Sequence, residues 1–127
     1  MKTTGIINAQ LAAAIARLRH TDRFIVADAG LPVPDGTEVI DLAVIYGVPG
    51  FCDVLDAILA ETTVEHALIA CEAASSPAGA WLAERFPHAE QVPHDAFKRD
   101  AAHAAFLVRT GEATPFANVM LRAGVPF

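Results

Sequence analysis

Apolar positions along this chain switch between a helical and a strand period, and the switches mark out the elements. Leu11, Ile15 and Leu18 recur at helical spacing after Asn8, whose amide oxygen can accept the first free backbone N–H groups. A helix is therefore predicted over about residues 9–19. FIVAD (24–28) is a short apolar run with β-branched residues, the pattern of a buried strand, and it enters a turn-rich loop at GLPVPDG. A second strand is predicted over 38–44. GVPG (47–50) then breaks the chain before a helical stripe of Phe51, Val54, Leu55, Ile58 and Leu59.

VEHALIAC (64–71) reads as a central strand. Ser76 followed by Pro77 is the cap-then-proline signature of a helix start, here running to about Phe86. A short strand is predicted at 89–92, a short helix capped by Asp95, and strands at AFLVRT (105–110) and ANVML (117–121). Strands interleaved with helices imply a sheet covered on both faces. Adjacent strands within 24–44 and again near the C-terminus argue against a purely parallel sheet. The expected fold is α/β: a three-layer α/β/α sandwich with a mixed sheet, in one domain spanning 1–127.

Composition narrows the functional classes. Of 127 residues, 54% are apolar and 19% charged, enough for a packed core and somewhat apolar for so short a chain, a composition that fits apolar surface buried between subunits and equally a very helical monomer. A net charge of −6, with Lys98 and Arg99 the only adjacent basic pair, counts against a nucleic-acid partner and against an acidic membrane. A neutral small molecule remains compatible. No run approaches the roughly 18 apolar residues of a membrane helix, and the N-terminal stretch fits an amphipathic helix better than a signal peptide. Cys52 and Cys71 read as buried small hydrophobes rather than a disulfide pair, and a cytoplasmic location is expected.

Candidate chemistry falls into three places. His20 ends the first predicted helix, where carbonyl groups favour a cation, and Asp28 ends the first strand, where ligand sites of α/β proteins collect. Eight residues apart, the two are expected to face one crevice; a helix-end cap and a turn residue is the plainer reading. His94, Asp95 and Lys98 form a polar cluster in which His94 and Lys98 share a helix face, as an acid/base pair or as a solvated helix start. RTGEATPFAN (109–118) carries Asn118, able to donate to and accept from a ligand hydroxyl, although TGEATP is also ordinary turn chemistry. Metal-ligand spacings, phosphate loops and nucleophile elbows are missing, so no metal site is expected.

Several of these stretches together resemble the D-ribose pyranase and fucose mutarotase (RbsD/FucU) family: HTD (20–22), DAGLPVP (28–34), ID (40–41), GVPGF (47–51), HDAFK (94–98), RTGEATPFAN (109–118) and LRAGVPF (121–127). They occur in order across nearly the whole chain. The resemblance implies an RbsD-like fold, a cofactor-free isomerase acting on a monosaccharide, D-ribose first, and a ring-shaped homo-oligomer, decameric in several members, with sugar sites close to subunit contacts. By position it implies His20 as the general acid, with Lys98 where the family has an active-site lysine. Asp28, His94, Phe116 and Asn118 fall at sugar-binding positions. A sugar-binding or regulatory module without catalysis is the alternative. Three departures stand out: Phe116 where the family triplet begins with Tyr, Arg19 where Gly is frequent, and a segment 72–94 shorter than in typical ribose pyranases.

Overall fold

The strands expected to be neighbours at 24–44 are separated by a third. In the computed structural model, which describes all 127 residues, β1 (Arg23–Ala27) and β2 (Glu38–Asp41) both lie parallel to β5 (Phe106–Arg109), which runs between them. β6 (Val119–Ala123) returns antiparallel to β1 on its other side and also pairs antiparallel with β3 (Val64–Ala70). β4 (Glu90–Val92) closes the edge parallel to β3. The six-stranded sheet thus has the order β2-β5-β1-β6-β3-β4. The sheet is mixed as expected, but its antiparallel member is β6 alone, not a hairpin.

Successive strand side chains point to opposite faces, so each strand feeds two apolar layers. Phe24, Val26, Phe106, Val108, Val119 and Leu121 pack with three helices: α1 (Ala9–Arg17), α2 (Phe51–Leu59) and α3 (Pro77–Arg85), through Leu11, Leu55, Ile58 and Leu82. Ile25, Leu107, Met120 and Leu68 point the other way onto Leu31 and onto Phe97 and Ala101 of α4 (His94–Asp100) and the turn after it. The result is the three-layer sandwich, with three helices on one face and one on the other. Phe24 and Phe106, paired across the parallel strands, stack with centroids 5.3 Å apart. Each fully buried side chain of this size contributes about 1.5–3 kcal/mol.

Local signals explain most boundaries. The Asn8 side chain accepts the Leu11 N–H, and the Ser76 hydroxyl accepts that of Ala78 beside Pro77, as their cap positions predict. Three expectations are corrected. The strand placed at 38–44 stops at Asp41, because the Asp41 carboxylate takes the Ala43 N–H and the chain enters a tight turn at 45–48. Asp95 does not cap α4, which begins one residue earlier behind Pro93. The free His94 N–H there donates to the Glu72 carboxylate at 2.9 Å. Cys52 is only half-buried and Cys71 exposed, since β3 has ended at Ala70 and Cys71 opens a 3-10 turn. No helix is long and apolar enough to cross a membrane.

Candidate active site

Because β6 runs antiparallel to β1 with Val119 opposite Val26, the residue before β6 meets the residue after β1. Those residues are Asn118 and Asp28, ninety positions apart, and they bond reciprocally. The Asp28 N–H donates to Asn118 Oδ1 and Asn118 Nδ2 donates to Asp28 Oδ2, each at 2.9 Å. Asp28 Oδ1 accepts the Gly30 N–H at 3.0 Å, closing the turn that DAG begins. Asn118 is 1% exposed and Asp28 half-buried, so the pair is anchored from inside the protein.

His94 stands at the first position of α4. Its ring lies parallel to Phe97, with centroids 6.4 Å apart, and meets Phe116 edge-on at 5.1 Å. Its Nδ1 is buried with no partner in the chain and can serve a ligand. Phe116 adopts a left-handed backbone (φ 62°), which costs a bulky residue about 1–3 kcal/mol. The turn carrying it is pinned by the Ser76 hydroxyl, which donates to the Pro115 carbonyl at 2.6 Å. A strained backbone is thus held in place beside an unpartnered imidazole.

Glu112 ties these segments together. Its Oε1 accepts the Phe51 N–H at 3.1 Å, capping α2, whose own cap position is Gly50 and has no side chain to do so. Its Oε2 accepts from the Thr114 hydroxyl at 3.0 Å, and its carbonyl accepts the Ala29 N–H at 2.9 Å. Asp28, Tyr46, His94, Glu112, Phe116 and Asn118 together line a cavity of about 360 Å³, at the small end of ligand-site volumes. No three of the His, Cys, Asp and Glu side chains converge on a metal-sized site.

His20 lies elsewhere. The five residues of β1 put it about 16 Å away, past the other end of that strand, so the single crevice expected for His20 and Asp28 does not form within one chain. Nor is His20 the cap of α1. Arg19 takes that role, donating to the carbonyls of Ala16, Arg17 and Leu18 at 3.0–3.2 Å. His20 Nε2 contacts Glu65 Oε2 at 3.1 Å, and Arg122 holds the other Glu65 oxygen at 2.8 Å. Both contacts, the one to His20 foremost, keep the Glu65 carboxyl below its ordinary value. Around His20 lie Arg19 and the tail residues Val125, Pro126 and Phe127.

Comparison with known proteins places this arrangement. The model of the RbsD / FucU transport protein family matches residues 1–126. The chain belongs to the RbsD/FucU family. Over the full length of both chains it is 56% identical to D-ribose pyranase 1 of Rubrobacter xylanophilus and 50% identical to the D-ribose pyranase of Cutibacterium acnes. Bacillus subtilis RbsD, whose structure was solved complexed with D-ribose, superposes with a TM-score of 0.93 at 42% identity, with both chains fully covered. The fucose mutarotase of Streptococcus pneumoniae, solved with L-fucose, shares the fold at a TM-score of 0.80 and 18% identity over both full chains.

Of the six residues singled out by the RbsD/FucU resemblance, the fold gathers Asp28, His94, Phe116 and Asn118 in one cavity. Lys98 is not among the lining residues. It lies one turn along α4 from His94, and its Nζ is held 2.8 Å from Asp95 Oδ1, an interaction that lowers the Asp95 pKa. Glu112, Glu72 and Tyr46 were not singled out by sequence. A helix starting at Gly50 and another behind Pro93, neither able to cap itself, are the signals that would have called for outside acceptors.

Two expected outcomes concern the packing and charge of this RbsD/FucU fold. A Cβ at Gly111 would run into the backbone carbonyls of Val48 and Ile45, where Gly111 also donates to the Pro49 carbonyl at 2.9 Å. Gly111→Ala should therefore cost about 1–3 kcal/mol in urea unfolding. A variant as stable as the parent would show that the two loops are not tightly packed.

Four carboxyls, Asp56, Glu65, Glu72 and Asp95, are held below their ordinary values, chiefly by hydrogen bonds from Arg85, His20, the His94 backbone N–H and Lys98 respectively. Their folded pKa values lie below the unfolded ones, so their contribution is present above the ordinary values of 3.8 and 4.5 and fades as pH falls through the lowered ones. The urea midpoint should fall as pH drops below about 4. A midpoint that rises on acidification over that range would contradict these assignments.

Proposed function

We propose that this chain is a D-ribose pyranase, interconverting pyranose and furanose forms of D-ribose by acid/base ring opening and reclosure without metal or cofactor. The observation that carries the reading is the convergence of Asp28, His94, Phe116 and Asn118 in one small cavity, in a chain 56% identical end to end to a D-ribose pyranase. Asp28 and Asn118 would hold sugar hydroxyls and His94 Nδ1 would take another. The Phe116 ring would lie against the C–H face of the sugar.

Ring opening breaks the bond from the anomeric carbon to the ring oxygen. The ring oxygen gains a proton, the anomeric hydroxyl loses one, and an open-chain aldehyde results. Reclosure through a different hydroxyl gives the other ring size. A histidine side chain can deliver and recover that proton near neutral pH. We assign this role to His20 of a second copy, brought to the Asp28 cavity of the first in a ring-shaped homo-oligomer of the size class suggested by the decameric members.

Several features support a shared site. The His20 side chain is 55% exposed, and apolar side chains lie uncovered at both ends of the sheet: Val44, Ile45, Tyr46 and Val48 beside the cavity, and Val125 and Phe127 beside His20. Lys98 completes the rim when Asp95 releases it. Two free cysteines suit the reducing cytoplasm, where we place the protein.

The separation of His20 from the cavity also favours a second reading, a monosaccharide-binding module without catalysis. NMR exchange between pyranose and furanose anomeric protons of D-ribose tests the two. Accelerated exchange is expected for the enzyme. Saturable binding without acceleration would establish the module instead, and silence with D-ribose would require the same assay on L-fucose and other pentoses.

A further inference from the structure

The cavity wall at Phe116 is a ring without a polar atom, yet a phenol stands in the same cavity. Tyr46 is the only tyrosine of the chain, lines the cavity with Phe116, and is 83% exposed. Its backbone is nonetheless rigidly built. Ile45 to Val48 form a tight turn closed by the Val48 N–H on the Ile45 carbonyl at 3.0 Å, with Gly47 at φ 86°, the geometry that requires glycine at the third position and displays the second residue outward. The turn is clamped to the segment that carries Phe116, since Gly47 donates to the Gly111 carbonyl and Gly111 to the Pro49 carbonyl. Tyr46 and Phe116 are thus two aromatic groups referred to one anchor, five residues before Phe116.

No hydrogen bond within the chain uses the Tyr46 hydroxyl, and its ring is mostly uncovered, so nothing in the fold of a single chain accounts for it. An amphipathic side chain on a fixed backbone at the mouth of a polar cavity suits a polyol, offering a flat face to C–H groups and a hydroxyl to O–H groups.

We propose that Tyr46 contacts the sugar directly, its hydroxyl supplying the hydrogen-bonding group that the Phe116 wall lacks and helping to set which sugar is accepted. This rests on the cavity being the D-ribose site.

The test compares Tyr46→Phe, Phe116→Tyr and the double variant, reading kcat and KM by NMR exchange, D-ribose affinity by calorimetry, and assembly by sedimentation velocity. Loss of one neutral hydrogen bond should raise KM and the dissociation constant roughly three- to ten-fold in Tyr46→Phe. Assembly should be unchanged. Phe116→Tyr alone should add little, but it should restore affinity to Tyr46→Phe, because a hydroxyl on either wall serves the same ligand. Unchanged affinity in Tyr46→Phe, strictly additive effects, or a loss of affinity that accompanies dissociation of the assembly would each overturn the proposal while leaving ribose turnover by the parent intact. A parent protein that neither binds nor turns over D-ribose would instead remove the functional reading on which it rests.

Discussion

His20→Ala is expected to lower D-ribose ring exchange by roughly 10²–10⁴-fold, the usual worth of one positioned acid/base group, while leaving the affinity for D-ribose nearly unchanged. The expectation follows from where His20 stands. It touches none of the groups lining the Asp28 cavity of its own chain, so its removal leaves that lining in place. Its partner Glu65 keeps the 2.8 Å contact to Arg122, so the fold should not suffer and the melting temperature should not move measurably.

A shared site has a further consequence that a self-contained one lacks. His20→Ala and Asp28→Asn, each inactive alone, should regain activity when co-expressed. In random assemblies about a quarter of the sites would draw an intact His20 from one copy and an intact Asp28 from the next. Full exchange in His20→Ala would remove the proton-transfer role. A dead co-expressed mixture would mean that His20 and Asp28 do not meet across copies.

Asn118→Ala is the substitution expected to damage fold and ligand site together, by about 2–4 kcal/mol in urea unfolding. Its side chain is the acceptor for the Asp28 N–H and a donor to the Asp28 carboxylate, and no water-exposed alternative exists for a residue 1% exposed. Truncation leaves a buried N–H unpaired and frees the Asp28 carboxylate to turn away. D-ribose binding should therefore fall even where the protein remains folded.

Asn118→Asp separates the two effects. It keeps the shape but puts a second carboxylate where the amide nitrogen now lies 2.9 Å from Asp28 Oδ2. Two carboxylates so close cannot both ionise cheaply, so one holds a proton at a raised pKa. Because that folded-state pKa is raised, the penalty is absent at low pH and grows as pH rises past the unfolded value. This variant should thus be closest to the parent in mild acid and weakest near neutrality. A uniform loss of stability across pH would argue that Asp28 and Asn118 are not a matched pair.

Local chemistry was legible in the sequence wherever one or two neighbouring residues decide the outcome. Asn8 and Ser76–Pro77 place two helix starts, and the apolar runs place the strands to within a residue or two, except where a turn cuts the strand at Asp41. Strand order was not legible, because the position of β5 between β1 and β2 depends on contacts made some 65–80 residues away, which no local period encodes.

The same reason limits the site. Asp28 and Asn118 could each be named, yet their reciprocal bonds arise only from the antiparallel return of β6. His20 and Asp28, close in sequence, are driven apart by the very strand that joins them. The cysteines were misjudged because apolar neighbours in sequence do not ensure burial when the strand ends at Ala70.

The place of β6 also bears on how this protein is made. It lies between β1 and β3, joining β2-β5-β1 to β3-β4, and it is the last of the six strands in chain order. During synthesis the edges of β1 and β3 that it will cover remain bare until this last strand has emerged. Completion of the sheet therefore waits on its last-made strand, and the nascent chain presents unpaired strands that other chains could join. Folding chaperones that shield such edges would matter most in that interval.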